Sequence, residues 1–257
     1  MIVAIHQPHF LPWLGYLHRM AQADLFVLLD HVQFERRNYQ NRTMIRMNGE
    51  GRWLTVPVVQ RSQKERIVEK EIDNSLEGSK WWAHAHLQTL RHAYGRAGFY
   101  GSTAPALHRL LDKRWERLVD LNTASLELLR EAFGIRTRLV RSSELAVEGA
   151  KADLIMNICL ATGADTLLAG MGGSRGYLDV DAFARAGVRI AWHDFKHPAY
   201  PQCGAQPFTP GLSAIDLLLN CGPDSRGVLF GEFGDGALTP RRAQLSELGL
   251  RPRIQAA

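Results

Sequence analysis

The sequence predicts an α/β fold: a Rossmann-like, mostly parallel sheet with flanking helices, a small β-hairpin insertion and a helical segment. Three observations predict it. Short apolar runs recur at residues 2–5, 25–29, 136–140, 166–169 and 188–192, several of them followed by stretches of helical spacing. Polar residues crowd directly after several of these runs, as they do at the carboxyl ends of strands in open α/β sheets. Finally, 46% of the 257 residues are hydrophobic and 22% charged, enough apolar material for one sizeable core.

In chain order, residues 2–5 form the first strand, and the two prolines of H-Q-P-H-F-L-P exclude helix from the following turn. From Trp13 onward Leu14, Leu17 and Ala21 share a helical face, and residues 25–29 are the second strand, ending at Asp30. Two strand-like runs then flank Asn48-Gly49, a hairpin signal because both residues tolerate positive φ. Residues 60–70 read as a mobile polar connection, and 72–74 as the close of a short sheet. The helical portion covers about residues 79–134, with Ser79 as its N-cap, a break at 99–103, Pro105 in a first turn and Gly134 as the stop. A strand at 136–140, a helix at 152–161, a strand at 166–169, a short helix at 181–186 and a strand at 188–192 follow. Ser213 caps an apolar helix containing Asp216, which is either solvent-facing or buried with a partner. Residues 1–222 are expected to form a single domain, and 223–257 a glycine-rich tail with a final helix at 240–248.

Composition excludes several classes. No apolar run approaches the ~20 residues of a membrane span, and the N-terminus opens into a strand without a basic leader, so the expected location is the cytoplasm. Cys159, Cys203 and Cys221 are odd in number and form no C-x-x-C pair, which argues against a disulfide framework or structural zinc. Cys159 reads as a buried small hydrophobe. His84, His86 and His92 fall on one helix, but His84 and His86 point about 200° apart, so packed or solvated histidines are expected rather than a metal site. The net charge of +5 suits an anionic small-molecule ligand, and no nucleic-acid-binding signature is present.

Chemistry-bearing residues concentrate in three segments. The first joins His6, Gln7 and His9 after one strand to Asp30, His31, Gln33, Arg36, Arg37, Asn38, Gln40, Asn41 and Arg42 after the next. The second, G-M-G-G-S-R-G-Y-L-D at 170–179, follows a strand; Gly170, Gly172, Gly173, Ser174 and Arg175 suit an anion, although neither a Walker loop nor a dinucleotide fingerprint is present. The third, H-D-F-K-H-P-A-Y-P-Q at 193–202, offers His193, Asp194, Lys196, His197 and Tyr200.

The pieces H-Q-P-H-F-L-P-W-L-G-Y, A-D-L-F-V-L-L-D-H-V-Q-F, Y-Q-N-R, W-L-T-V-P-V, G-Y-L-D, H-P-A-Y-P-Q and L-S-A-I-D-L-L-L-N-C-G resemble the WbqC-like protein family, from residue 6 to residue 222. That resemblance implies a setting in surface-polysaccharide or natural-product biosynthesis. A looser similarity is to the nucleotidyltransferase-like Rossmann superfamily that includes pantothenate synthetase, carried by Phe10-Leu11-Pro12, Gly15-Tyr16 and Val32-Gln33-Phe34. Tyr16 stands where that superfamily has a second histidine, so His6 and His9 would have to replace it.

The expected function is a transferase or ligase that moves an acyl or aminoacyl group onto an amino sugar, with an adenylate, and hence ATP with Mg, as one route. In this reading His6 and His9 stabilise charge. Gln7, Gln33, Arg36, Arg37, Asn38, Gln40, Asn41, Arg42, Tyr177 and Tyr200 hold substrate, while Gly170, Gly172, Gly173, Ser174 and Arg175 hold phosphates. Asp30, His193, Asp194, Lys196 and His197 are the acid/base candidates. The alternatives are nucleotidyl transfer and a non-catalytic protein that binds a glycan or a partner transferase, with Phe34, Tyr39, Tyr177, Phe195 and Tyr200 available to stack on sugars.

Overall fold

A computed structural model describes residues 1–204 and 207–232. Five strands make the central sheet: β1 (Ile2–His6), β2 (Leu25–Leu28), β5 (Arg138–Arg141), β6 (Thr166–Gly170) and β7 (Arg189–His193). Their spatial order is β5-β2-β1-β6-β7 and every pairing is parallel. Ranked in chain order the strands run 3-2-1-4-5, so the order reverses between β1 and β6. Outside the carboxyl ends of these two strands lies the crevice where doubly wound sheets bind ligands.

Period-two alternation explains why these runs need cover on both faces. Ala4, Phe26, Leu28 and Leu168 point into one core with α1 (Leu14–Ala21), α2 (Trp82–Tyr94), α3 (Tyr100–Leu111), α4 (Leu118–Ala132), α7 (Ala214–Cys221) and α8 (Ser225–Phe230). Val3, Leu25, Val27, Leu167 and Ala169 point into a second core beneath α5 (Lys151–Thr162) and α6 (Val180–Arg185). Cys159 is buried in that second core, where burial pushes its thiol up to about 12.

The hairpin is present as β3 (Arg42–Met47) and β4 (Glu50–Thr55), turning through Asn48 (φ 55°) and Gly49 (φ 84°). Its Ile45 and Leu54 join the first core. The expected cap on Ser213 also forms, with Oγ accepting from the Ile215 N–H at 3.4 Å.

Several expectations are corrected. Residues 60–70 are fastened rather than loose: Phe34 N–H donates to Glu65 O and Val68 N–H to Asp30 O, each at 2.8 Å, while Ile67 and Lys70 are fully buried. Residues 72–74 make no strand; Ile72 forms only an isolated bridge with Val58. Ser79 does not cap α2, because Gly78–Lys80 is a 3₁₀ turn and the N-cap is Trp81. Both Trp81 and Trp82 instead donate their indole N–H groups to Asn74 Oδ1 at 3.1 Å. The break expected at 99–103 ends at Phe99, so Pro105 lies inside α3. Its ring costs the bond to Gly101, which is exposed and can be served by water. Chain packing continues past residue 222 through α8, and the expected helix at 240–248 lies outside the described residues.

Candidate functional site

The turn after β1 is the most heavily fastened loop of the crevice. Leu11 adopts φ 43°, a costly conformation for a branched residue. Three elements hold it there: its N–H donates to Ser125 Oγ on α4 (3.2 Å), and its carbonyl accepts from Thr43 Oγ1 on β3 (2.8 Å) and Ser213 Oγ before α7 (2.7 Å). Asn122 Nδ2 on α4 bridges the carbonyls of Pro8 (3.2 Å) and Gln40 (2.8 Å). Gln40 in turn donates to Gln7 Oε1 at 2.9 Å and accepts from the Glu35 N–H at 3.0 Å. The loop after β2 is thereby sewn to the turn after β1.

These restraints hold two histidines together. The rings of His6 and His9 meet edge to face with centroids 4.5 Å apart, and Tyr16 lies within 4.7 Å of one and 5.3 Å of the other. His6 Nδ1 stands 3.0 Å from Gln7 O, which can only accept, so Nδ1 carries the proton. In the neutral ring Nε2 is then a bare lone pair. Burial, with Arg19 as a second cause, depresses His9 to about 3. Burial, Arg19 and then His9 lower His6 well below the usual histidine value.

Both histidines line a cavity of about 650 Å³ at the crevice between β1 and β6, within the size range of small-molecule sites. Its walls include Trp13 at the N-cap of α1, Gly15, Tyr16 and Arg19 from α1, Gly170 at the end of β6 with Gly172 and Gly173 from the turn after it, and His193 at the end of β7 with Asp194 and Phe195 after it. Gly15 lets the Trp13 indole fold over α1, since a Cβ there would stand 2.2 Å from that ring and 2.9 Å from Phe195. Arg19 is only 7% exposed, and its Nε has no partner. Among the described residues no carboxylate forms an ion pair with it. Burial presses its guanidinium down to about 10, Tyr16 opposing. A buried cation without a counterion is costly.

A second histidine pair reaches the surface. His193 Nε2 and His18 Nδ1 are 2.8 Å apart, so one ring donates to the other. Gln22 Nε2 is 3.3 Å from His18 Nδ1. Burial, His18 and then Arg19 lower His193 to about 4. Phe195 stacks on His193, with centroids 6.2 Å apart. The pair links the cavity wall to the half-buried His18.

Comparison with known proteins agrees with the resemblance in the sequence. The WbqC-like protein family matches residues 7–228, most of the chain. The chain belongs to that family. It is also 30% identical over 225 residues, 87% of this chain and 95% of the relative, to the uncharacterized protein Rv1507c of Mycobacterium tuberculosis. No solved structure matches.

In this family member the structure gathers His6, Gln7, His9, Asn38, Gly170, Gly172, Gly173, Tyr177, His193 and Asp194 around one cavity. Other candidates lie elsewhere. Asp30 is fully buried and accepts from Ser142 Oγ (3.0 Å), Ser143 N–H (2.9 Å) and Ser143 Oγ (2.8 Å), tying β2 to the end of β5. Gln40 positions Gln7, and Asn41 donates to Val56 O at 2.9 Å. Gln33 donates to Gln63 O, while Arg36 and Arg37 are exposed. Arg42 donates to Arg37 O and lies over the Trp53 ring. Tyr200 donates to the buried Asp216, which also accepts from Tyr94 and Gln202. His197 Nδ1 donates to Pro198 O, and Lys196 is exposed. Arg175 is exposed beside Trp192, 5.9 Å from its ring; the side chain of Ser174 lies outside the described atoms.

Sequence reasoning did not single out Trp13, Arg19, His18 or Glu35 for the site. For Arg19 the usable signal was its position four residues after Gly15 on the helix that leaves β1, a face that a doubly wound sheet turns toward the crevice. Among the described residues no helix is long and apolar enough to cross a membrane, and no group of three or more His, Cys, Asp or Glu side chains is placed to hold a metal ion.

Proposed function

We propose that the chain is a group-transfer enzyme of surface-polysaccharide or natural-product biosynthesis, moving an acyl or aminoacyl group onto the amine of an amino sugar or related acceptor. One observation carries this reading: His6, with its Nδ1 proton engaged by Gln7 O and its Nε2 left as a lone pair, lines the same cavity as Arg19, a buried cation that pairs with no carboxylate among the described residues. A base beside a fixed positive charge is the pairing that acyl transfer needs. The amine nitrogen attacks the carbonyl carbon and loses a proton to His6 Nε2. Negative charge collects on the carbonyl oxygen, where Arg19 stabilises it. Collapse expels the leaving group, which takes the proton back from His6. Glu35 and Asp194, exposed and lining the same cavity, are the carboxylates suited to an acceptor ammonium.

An acyl adenylate formed from ATP is the favoured donor, because nucleotides bind at this crevice in doubly wound sheets. Magnesium would then arrive on the ATP phosphates and neutralise their charge. The same location supports nucleotidyl transfer as a second reading.

The test is a thermal-shift panel of ATP, amino acids and other carboxylic acids, amino sugars, sugar phosphates and nucleotide-sugars, with and without magnesium, followed by mass spectrometry of products from ATP, acid and amino sugar together and from ATP and sugar phosphate, and repeated on His6→Gln. The proposal predicts a shift with an amino sugar or its activated donor, and an amide product that His6→Gln loses. A nucleotide-sugar product without an amide favours the second reading. No shift and no product with any member of the panel overturns both.

A further inference from the structure

Arg19 is 7% exposed, lines the cavity and has no carboxylate partner among the described residues. Its guanidinium lies against the bare α-carbon of Gly170: a Cβ there would stand 2.5 Å from Nη1. Gly172 and Gly173 line the same cavity, and their lack of side chains lets a ligand approach the main chain. His6, His9 and His193 all feel the Arg19 charge and are all held neutral. The carboxylates of the cavity, Glu35 and Asp194, are instead exposed. The site is therefore polarised, with its cation buried and its anions toward solvent.

We propose that Arg19 seats a phosphoryl group of the substrate, with the remainder passing Trp13 and Phe195 toward Glu35 and Asp194. A bidentate guanidinium engages both oxygens of a planar carboxylate, whereas a tetrahedral phosphoryl group keeps a third oxygen wholly free for a ring N–H of His9 or His193. Seating a dianion there also offsets the Arg19 share of the lowered proton affinity of the three histidines, the larger share of which comes from burial. This names a substrate class for the group-transfer cavity and rests on that reading, but it is tested by binding alone.

The experiment titrates the full chain with inorganic phosphate, pyrophosphate and acetate by calorimetry and ³¹P line broadening, for the wild type, Arg19→Gln and Arg19→Lys. AMP and a glucosamine phosphate form two further arms that distinguish nucleotide from sugar phosphate. The expected result is phosphate binding at least about tenfold tighter than acetate, weakened about tenfold or more by Arg19→Gln and less by Arg19→Lys. Tighter binding of AMP or of the sugar phosphate supports the seat and identifies what carries the group. Circular dichroism checks folding; if Arg19→Gln fails to fold, Arg19→Lys, which keeps the charge but loses the fork, must still weaken phosphate. Equal acetate and phosphate affinity, wild-type phosphate affinity in Arg19→Gln, or no anion binding would each overturn the proposal. Phosphate binding without any transfer product leaves the seat standing and defeats only the group-transfer reading.

Discussion

Replacing Arg19 by Met should stabilise the empty protein. Burial lowers the Arg19 guanidinium from 12.5 to about 10, so at 1.36 kcal/mol per pH unit its charge costs the folded state about 3 kcal/mol. The sign follows from linkage: the folded value lies below the unfolded one, so the full cost is present at neutral pH and fades only as pH rises past the folded value. Methionine keeps most of the aliphatic volume and carries no charge. After some lost packing, Arg19→Met should gain about 1–3 kcal/mol in urea unfolding at pH 7 in an anion-poor buffer. Adding phosphate should raise the stability of the wild type and leave the variant unchanged. A loss of more than about 1 kcal/mol with an unchanged m-value would refute the reasoning, because it would mean that the guanidinium is held by a structural partner.

Three other substitutions separate structure from site. His86 sits in the core against Trp82, and burial holds it at about 4; its contribution is full above the unfolded value near 6.5 and is lost as pH falls toward 4, about 3 kcal/mol. His86→Leu should remove that share of the acid sensitivity in a series of denaturation curves. Asp30→Ala breaks the link between β2 and the end of β5, costing about 2 kcal/mol, yet phosphate affinity should stay at the wild-type level in calorimetry. Gly15→Ala drives the Trp13 ring from its place over α1; phosphoester affinity should fall about tenfold and tryptophan fluorescence change, while the melting temperature moves little.

The sheet was legible because buried parallel strands carry uninterrupted apolar runs, so β1, β2, β6 and β7 appear in the sequence nearly at their true bounds. The hairpin was legible from two residues of positive φ. Helix starts were not: Ser79 has the chemistry of a cap, but the Gly78 turn and the bonds of Trp81 and Trp82 to Asn74 move the start downstream. The site was legible where strands end, in His6, His9, Gly170 and His193, because topology alone brings carboxyl ends to one crevice. Asp30 also follows a strand end, yet it turns away to Ser142 and Ser143, a tertiary pairing that one-dimensional spacing does not encode. Arg19 was hidden for the opposite reason: a charged residue on an amphipathic helix reads as solvent-facing until the sheet places that face over the cavity.

The most direct test is the ¹⁵N spectrum of the histidine side chains, with His6 assigned by comparison with His6→Gln, recorded at pH 7 without ligand and with saturating pyrophosphate. His6 is expected to be neutral with its proton on Nδ1 in the free protein, and its Nε2 to shift toward the protonated position when the anion fills the cavity. A His6 that is already charged in the free protein, or that carries its proton on Nε2, would contradict the claim that His6 and Arg19 form a base and a cation poised for group transfer.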